Sequence, residues 1–142
     1  MSISAVTGEP PAGGWRVGVG NPYEPDQLLA VVALTDHGIA TRLIRRWSVG
    51  GAPRHHLLDP CTGDSLETGL DSVTVVARDA WMAEILTKAA FVAGPSEAMA
   101  LIAARGGAGL LVESAERIVA AGEFAAFFAP LDREPVLCGA TR

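Results

Sequence analysis

The hydrophobic period of the chain switches once, and that switch limits the folds open to it. Ser72 to Ala77 reads SVTVVA, a run whose valines and threonine favour a pleated backbone. From Asp79 onward, Trp81, Met82, Ile85, Leu86, Ala89 and Val92 recur at helical spacing until Gly94-Pro95 ends the pattern. Asp79 is expected to act as the N-cap. Ser96 to Arg105 reads as a second helix, closed by Gly106-Gly107. Beyond it, Gly109 to Glu113 and Arg117 to Ala120 read as a short strand pair, and Phe124 to Phe128 closes the fold. Upstream, Trp15 to Gly20 alternates like a strand and Leu28 to Thr35 is a β-branched apolar run. The Asp36-His37-Gly38 turn then leads to Ile39-Ala40-Thr41, which predicts a hairpin. Strands first, then two helices, then a last hairpin: this order predicts an α+β fold with a largely antiparallel sheet and two packed helices.

Length and composition set the frame around that pattern. A chain of 142 residues fits one domain, and 49% hydrophobic against 19% charged residues excludes a disordered chain. Residues 1–14 are expected to be a flexible lead-in, 15–130 the domain and 131–142 a tail. A net charge of -5 with no Lys/Arg block excludes a nucleic-acid surface, which needs concentrated basic residues. Arg45, Arg46 and Arg54 come nearest to one and read as a solvated strand edge or loop. The longest apolar stretches, Leu28 to Leu34 and Phe124 to Leu131, fall short of the roughly 20 residues that span a bilayer, so no membrane span is expected. The N-terminus has neither a basic start nor a sustained apolar core, and a cytoplasmic location is expected. Cys61 and Cys138 form no C-x-x-C and read as reduced thiols.

The segment His55-His56-Leu57-Leu58-Asp59-Pro60-Cys61-Thr62-Gly63 is the most specific in the chain. Pro60 excludes the α region at Asp59, an Asp side chain caps following amides, and Gly63 tolerates positive φ. By local chemistry this is a β-turn. Its pattern, H-x-x-D-P-x-T-G, is matched by His56, Asp59, Pro60, Thr62 and Gly63. In the known pattern that this segment resembles, an A-T-S-G strand comes before the signature, and here Ala40-Thr41 is followed by Arg42 and Leu43. Val73-Thr74-Val75 matches a V-T-V strand after it. Ala83, Glu84 and Thr87 match a helix beginning A-D-x-x-x-T, and Trp15 to Val19 matches W-x-V-G-I.

On these residues, Trp15 to Phe128 resembles the C-terminal half of the magnesium-dependent FAD:protein FMN transferases, the ApbE-like family, whose domain is T-fold-like. The resemblance implies FAD as substrate, Mg²⁺ as cofactor, and transfer of FMN to a Thr or Ser of a target protein carrying an S/T-G-A-T segment. It places His56 and Asp59 at the catalytic positions, with Thr41, Thr62 and Gly63 at the flavin nucleotide. It also implies that the N-terminal half of the domain must come from elsewhere, a second chain included. A catalytically degenerate half-domain that binds a flavin nucleotide or a protein is the alternative.

For the metal, the resemblance points to Glu84 and Thr87. Residues three apart on a helix share a face, so a carboxylate and a hydroxyl would be presented together as hard oxygen ligands. A second reading of the same residues is equally open. Glu84 and Lys88 form an i,i+4 pair of favourable order, which on an exposed helix is worth about 0.2 to 0.5 kcal/mol.

Overall fold

The computed structural model describes residues 2–5 and 9–129. Nine strands, two α-helices and a closing 3-10 turn follow one another among them. The central strand is β7 (Ser72–Ala77), and all six of its residues are buried. A strand covered on both faces has no need to alternate, which is why SVTVVA reads as an unbroken apolar run. Around it lies a five-stranded sheet in the order β1 (Ser2–Ala5), β4 (Gly38–Leu43), β7, β8 (Ala108–Ser114), β9 (Arg117–Ala121). Every pairing in it is antiparallel.

The sheet separates two hydrophobic cores. On one face pack α1 (Ala80–Ala93) and α2 (Pro95–Ala104), burying Val73, Val75, Leu111, Leu86, Phe91 and Ile102 together. On the other lies a two-stranded ribbon of β2 (Trp15–Gly20) and β3 (Leu28–Leu34), with Val19, Val32, Leu34, Ile39, Val76, Leu110 and Phe124 between the layers. Fully burying an aliphatic or aromatic side chain is worth about 1.5 to 3 kcal/mol, so both cores contribute substantially. Gly38 makes the helix layer possible where α1 begins. A Cβ there would lie 2.2 Å from the backbone nitrogen of Ala80.

Three local expectations are corrected. Leu28 to Thr35 and Ile39 to Thr41 do not pair as a hairpin: β3 pairs with β2, while β4 lies between β1 and β7. The Asp36-His37-Gly38 turn carries the chain from one layer to the other. Ser2–Ala5, within the expected lead-in, is an edge strand on β4. Four residues whose partner begins more than thirty positions later carry no local signal of pairing. Asp79 stands at the N-cap of α1, yet its side chain makes no capping hydrogen bond. Phe124–Phe127 forms the 3-10 turn, and Phe128 then bridges to Val32. The expected tail, residues 131–142, lies outside the described residues.

Candidate functional site

The signature segment folds as its chemistry dictates. The Asp59 carboxylate accepts from the Cys61 backbone N–H at 2.7 Å and from that of Thr62 at 3.3 Å. The Gly63 N–H bonds the Asp59 carbonyl at 2.8 Å, and Gly63 adopts φ 75°. Thr62 and Gly63 are exposed at the tip. The flanks of this turn are fastened to the helix-bearing side of the sheet. Leu57, Leu66 and Leu70 join the core beneath α1, and the Thr68 hydroxyl donates to the Phe91 carbonyl at 2.6 Å. His56 is exposed. Partial desolvation, and then the Arg42 charge, hold its imidazole below the usual 6.5, with a backbone hydrogen bond at Arg45 acting in the opposite direction.

Neighbouring residues of β4 face opposite layers, and this divides the expected site. Thr41 lies on the ribbon side with Ile39 and Leu43, and its hydroxyl is 2.9 Å from that of Thr74, its partner in β7. Arg42 lies on the helix side and is buried. Its guanidinium donates to Glu84 Oε1 at 3.2 Å, and Lys88 Nζ lies 2.6 Å from the same oxygen. The Lys88 hydrogen bond first, followed by both cationic charges, outweighs desolvation and lowers the Glu84 carboxyl from 4.5. Thr87 turns inward instead. It is buried, and its hydroxyl donates to the Glu84 backbone carbonyl at 2.8 Å.

The ribbon side holds a groove of about 660 Å³. Val17, Gly18, Ile39, Leu43 and Ile44 give it apolar walls, while Asn21, Thr41, Arg45, Arg46 and Asp71 give it polar groups. Asp71 ties its rim together: Tyr23 donates its phenol proton to one carboxylate oxygen, and Arg46 donates to the other. Burial first, then the bond to Asp71 and its charge, push the Tyr23 phenol up to about 12, against the pull of Arg46. A second, more polar groove of about 650 Å³ adjoins it through Ile44 and Arg46 and reaches His55, Asp64 and Ser65. Thr41 is thus the one expected site residue in the first groove; His56, Asp59, Thr62 and Gly63 line neither.

This arrangement has counterparts. The ApbE family model matches residues 3–111, more than half the chain, taking in both helices, both grooves and the sheet as far as Leu111 in β8. The chain belongs to the ApbE family. The FAD:protein FMN transferase of Escherichia coli K12 is 34% identical over 95 residues, which cover 65% of this chain and 27% of that protein. The enzyme of the same name from Treponema pallidum is 34% identical over 91 residues, 62% of this chain and 25% of its own length. The crystal structure of the ApbE protein of Thermotoga maritima superposes with a TM-score of 0.74 at 31% identity, covering 86% of this chain and 41% of that one. The chain therefore spans about a quarter of the curated relatives it matches.

The family resemblance implies Mg²⁺, and the residues at the expected position do not suit it. Magnesium takes oxygen ligands in near-ideal octahedral geometry. Here the Glu84 carboxylate is already held between two cations, and the Thr87 hydroxyl is spent on its own helix backbone. No group of three or more His, Cys, Asp or Glu side chains able to hold a metal occurs among the described residues. The A-D-x-x-x-T spacing also puts the hydroxyl four residues beyond the acid, and in this ApbE-family chain that position is Lys88. Thr87 falls one residue short, roughly 100° around the helix from there.

Sequence reasoning passed over Arg42, Arg45, Tyr23 and Asp71. Arg42 entered only as a departure from A-T-S-G, although strand alternation places it opposite Thr41. Arg45 and Arg46 read as a solvated edge; they line the groove. Nothing local marks Asp71, whose partners lie 48 and 25 positions away. Among the described residues no helix is long and apolar enough to cross a membrane.

Proposed function

We propose that this chain supplies the flavin-nucleotide groove of an FAD:protein FMN transferase-type domain, with the bound nucleotide lying on the ribbon side of the sheet. The groove is the observation that carries this reading. Its apolar walls suit a planar ring system, and Arg45 and Arg46 at one end suit phosphate, since guanidinium groups favour phosphate oxygens. Asp71 engages Arg46, so Arg45 is the cation best placed to meet an anion. FAD is then the substrate and a Thr or Ser hydroxyl of an S/T-G-A-T segment the acceptor of FMN. Transfer requires polypeptide equivalent to the part of the relatives that this chain does not match. In this reading no step runs through a metal on Glu84 and Thr87. His56 and Asp59 act from the adjoining loop, Asp59 by holding the turn in shape and His56 as a titratable side chain that feels the Arg42 charge.

A second reading, a binding module without transfer chemistry, is favoured by the pairing of Glu84 with Arg42 and Lys88. Two assays separate the readings. Titration of the chain into FMN, followed by flavin fluorescence, should give saturable quenching that Thr41→Phe, which fills the groove, removes. Absence of saturable binding overturns both readings. In-gel fluorescence of an S/T-G-A-T target incubated with FAD should show no labelling by this chain alone, and labelling once the remainder of the domain is supplied; no labelling in either case selects the binding module.

A further inference from the structure

We infer that Arg42 and Lys88 form a built-in cationic clamp on Glu84 that takes the place of a divalent-metal site on the helix face of the sheet. Arg42 retains 10% of its side-chain exposure and Glu84 20%, so the pair lies mostly out of water at 3.2 Å. Lys88, one helical turn on, closes on the same carboxylate oxygen at 2.6 Å. A divalent ion reaching Glu84 would meet two positive charges within a few ångströms. It would also have to break a charge-assisted hydrogen bond from a buried guanidinium, which cannot lose its proton. Thr87 offers no compensating ligand, because its buried hydroxyl is committed to the Glu84 carbonyl.

The clamp also joins two parts of the sequence that differ from the patterns around them. Arg42 stands where A-T-S-G has a small hydroxyl residue, Lys88 stands where A-D-x-x-x-T has its threonine, and Glu84 lengthens the acid. Arg42 and Lys88 both meet Glu84 in space. Separately each is an isolated departure; together they make a carboxylate whose Oε1 carries two counter-cations. The longer Glu arm has a role here, since it must reach Arg42 on the neighbouring strand. This inference does not depend on the flavin groove, which lies on the opposite face of β4.

Divalent-ion binding tests it directly. Mn²⁺ added to the full chain should keep its free-ion electron paramagnetic resonance amplitude, and Mg²⁺ should leave the melting temperature unchanged. Saturable Mn²⁺ binding by the wild-type chain that is lost in Glu84→Gln overturns the inference. In the Arg42→Ser, Lys88→Thr double variant, removing both like charges should tighten Mn²⁺ binding at least about tenfold. A folded double variant that binds Mn²⁺ no better than wild type also overturns it. Should Arg42→Ser fail to fold, ¹⁵N NMR of the wild-type chain decides. The Arg42 guanidinium protons should be slowed in exchange and released in Glu84→Gln, and an Arg42 signal indifferent to Glu84→Gln contradicts the clamp. FMN titration of Glu84→Gln should match wild type, which keeps failure of the clamp distinct from failure of the groove.

Discussion

The two faces of β4 begin from adjacent residues and end in opposite chemistry. On the ribbon face, Thr41 looks into an open groove whose polar groups sit around an apolar bed. On the helix face, Arg42 is closed into an ion-pair cluster with Glu84 and Lys88. One face has room and an exposed arginine, Arg45; the other holds one carboxylate between two cations. Strand alternation divides a site that motif spacing along the chain would put together, because successive side chains point to opposite sides of a sheet.

The largest expected effect tests whether the two faces belong to one folding unit. Phe91 and Phe124 are fully buried in the helix-side and ribbon-side cores. Replacing either by Ala should cost about 3 to 5 kcal/mol, and each should lower one shared thermal transition. Two separate transitions by calorimetry would make the ribbon an independent appendage.

Arg45→Glu should weaken FMN binding at least tenfold, about 1.4 kcal/mol, while leaving the melting temperature nearly unchanged. Glu84→Gln should do the reverse, lowering the melting temperature more than Lys88→Ala does, because it leaves the Arg42 charge buried without its carboxylate. Equal loss of FMN affinity in both variants would mean that the faces are coupled.

Tyr23 is the single tyrosine of the chain, so its ionisation can be read alone from absorbance near the tyrosinate band. Its midpoint should lie at about 12, and Asp71→Asn should return it towards 10.0. A phenol whose folded pKa is raised adds stability that is complete below the unfolded value and disappears as pH rises through the folded one. The Tyr23 contribution is therefore lost only in alkali, between 10.0 and about 12. Glu84 behaves oppositely. Its lowered carboxyl adds stability present above 4.5 and lost as pH falls through the depressed value, so acid should loosen the helix face first. His56, lowered from 6.5 as a base, likewise favours the folded state above that pH; its ¹H NMR midpoint should rise modestly in Arg42→Ala.

Local features of the fold were legible in the sequence, and non-local ones were not. The change of period at Asp79 locates β7 and α1, and Gly94-Pro95 marks the break that separates α1 from α2. The Asp59 turn follows from side chains two to four residues apart, and the Glu84–Lys88 pair from one helical turn. By contrast, the division of β3 and β4 between two layers depends on partners that no local pattern names. Arg42 meets Glu84 across 42 positions, which only the stacking of α1 over β4 could reveal. Within the candidate site, Thr41 lines the groove, Glu84 and Thr87 share the other face, and the flanks of the signature loop are anchored in the helix-side core.

The most direct test of the account is FMN titration of the chain in excess EDTA and again in excess Mg²⁺, with wild type, Arg45→Glu and Glu84→Gln compared in each. Saturable affinity should be the same in EDTA and Mg²⁺, weakened at least tenfold in Arg45→Glu and retained in Glu84→Gln. Binding that appears only with Mg²⁺ and vanishes in Glu84→Gln would contradict it, because the nucleotide would then be held through a metal on the helix face.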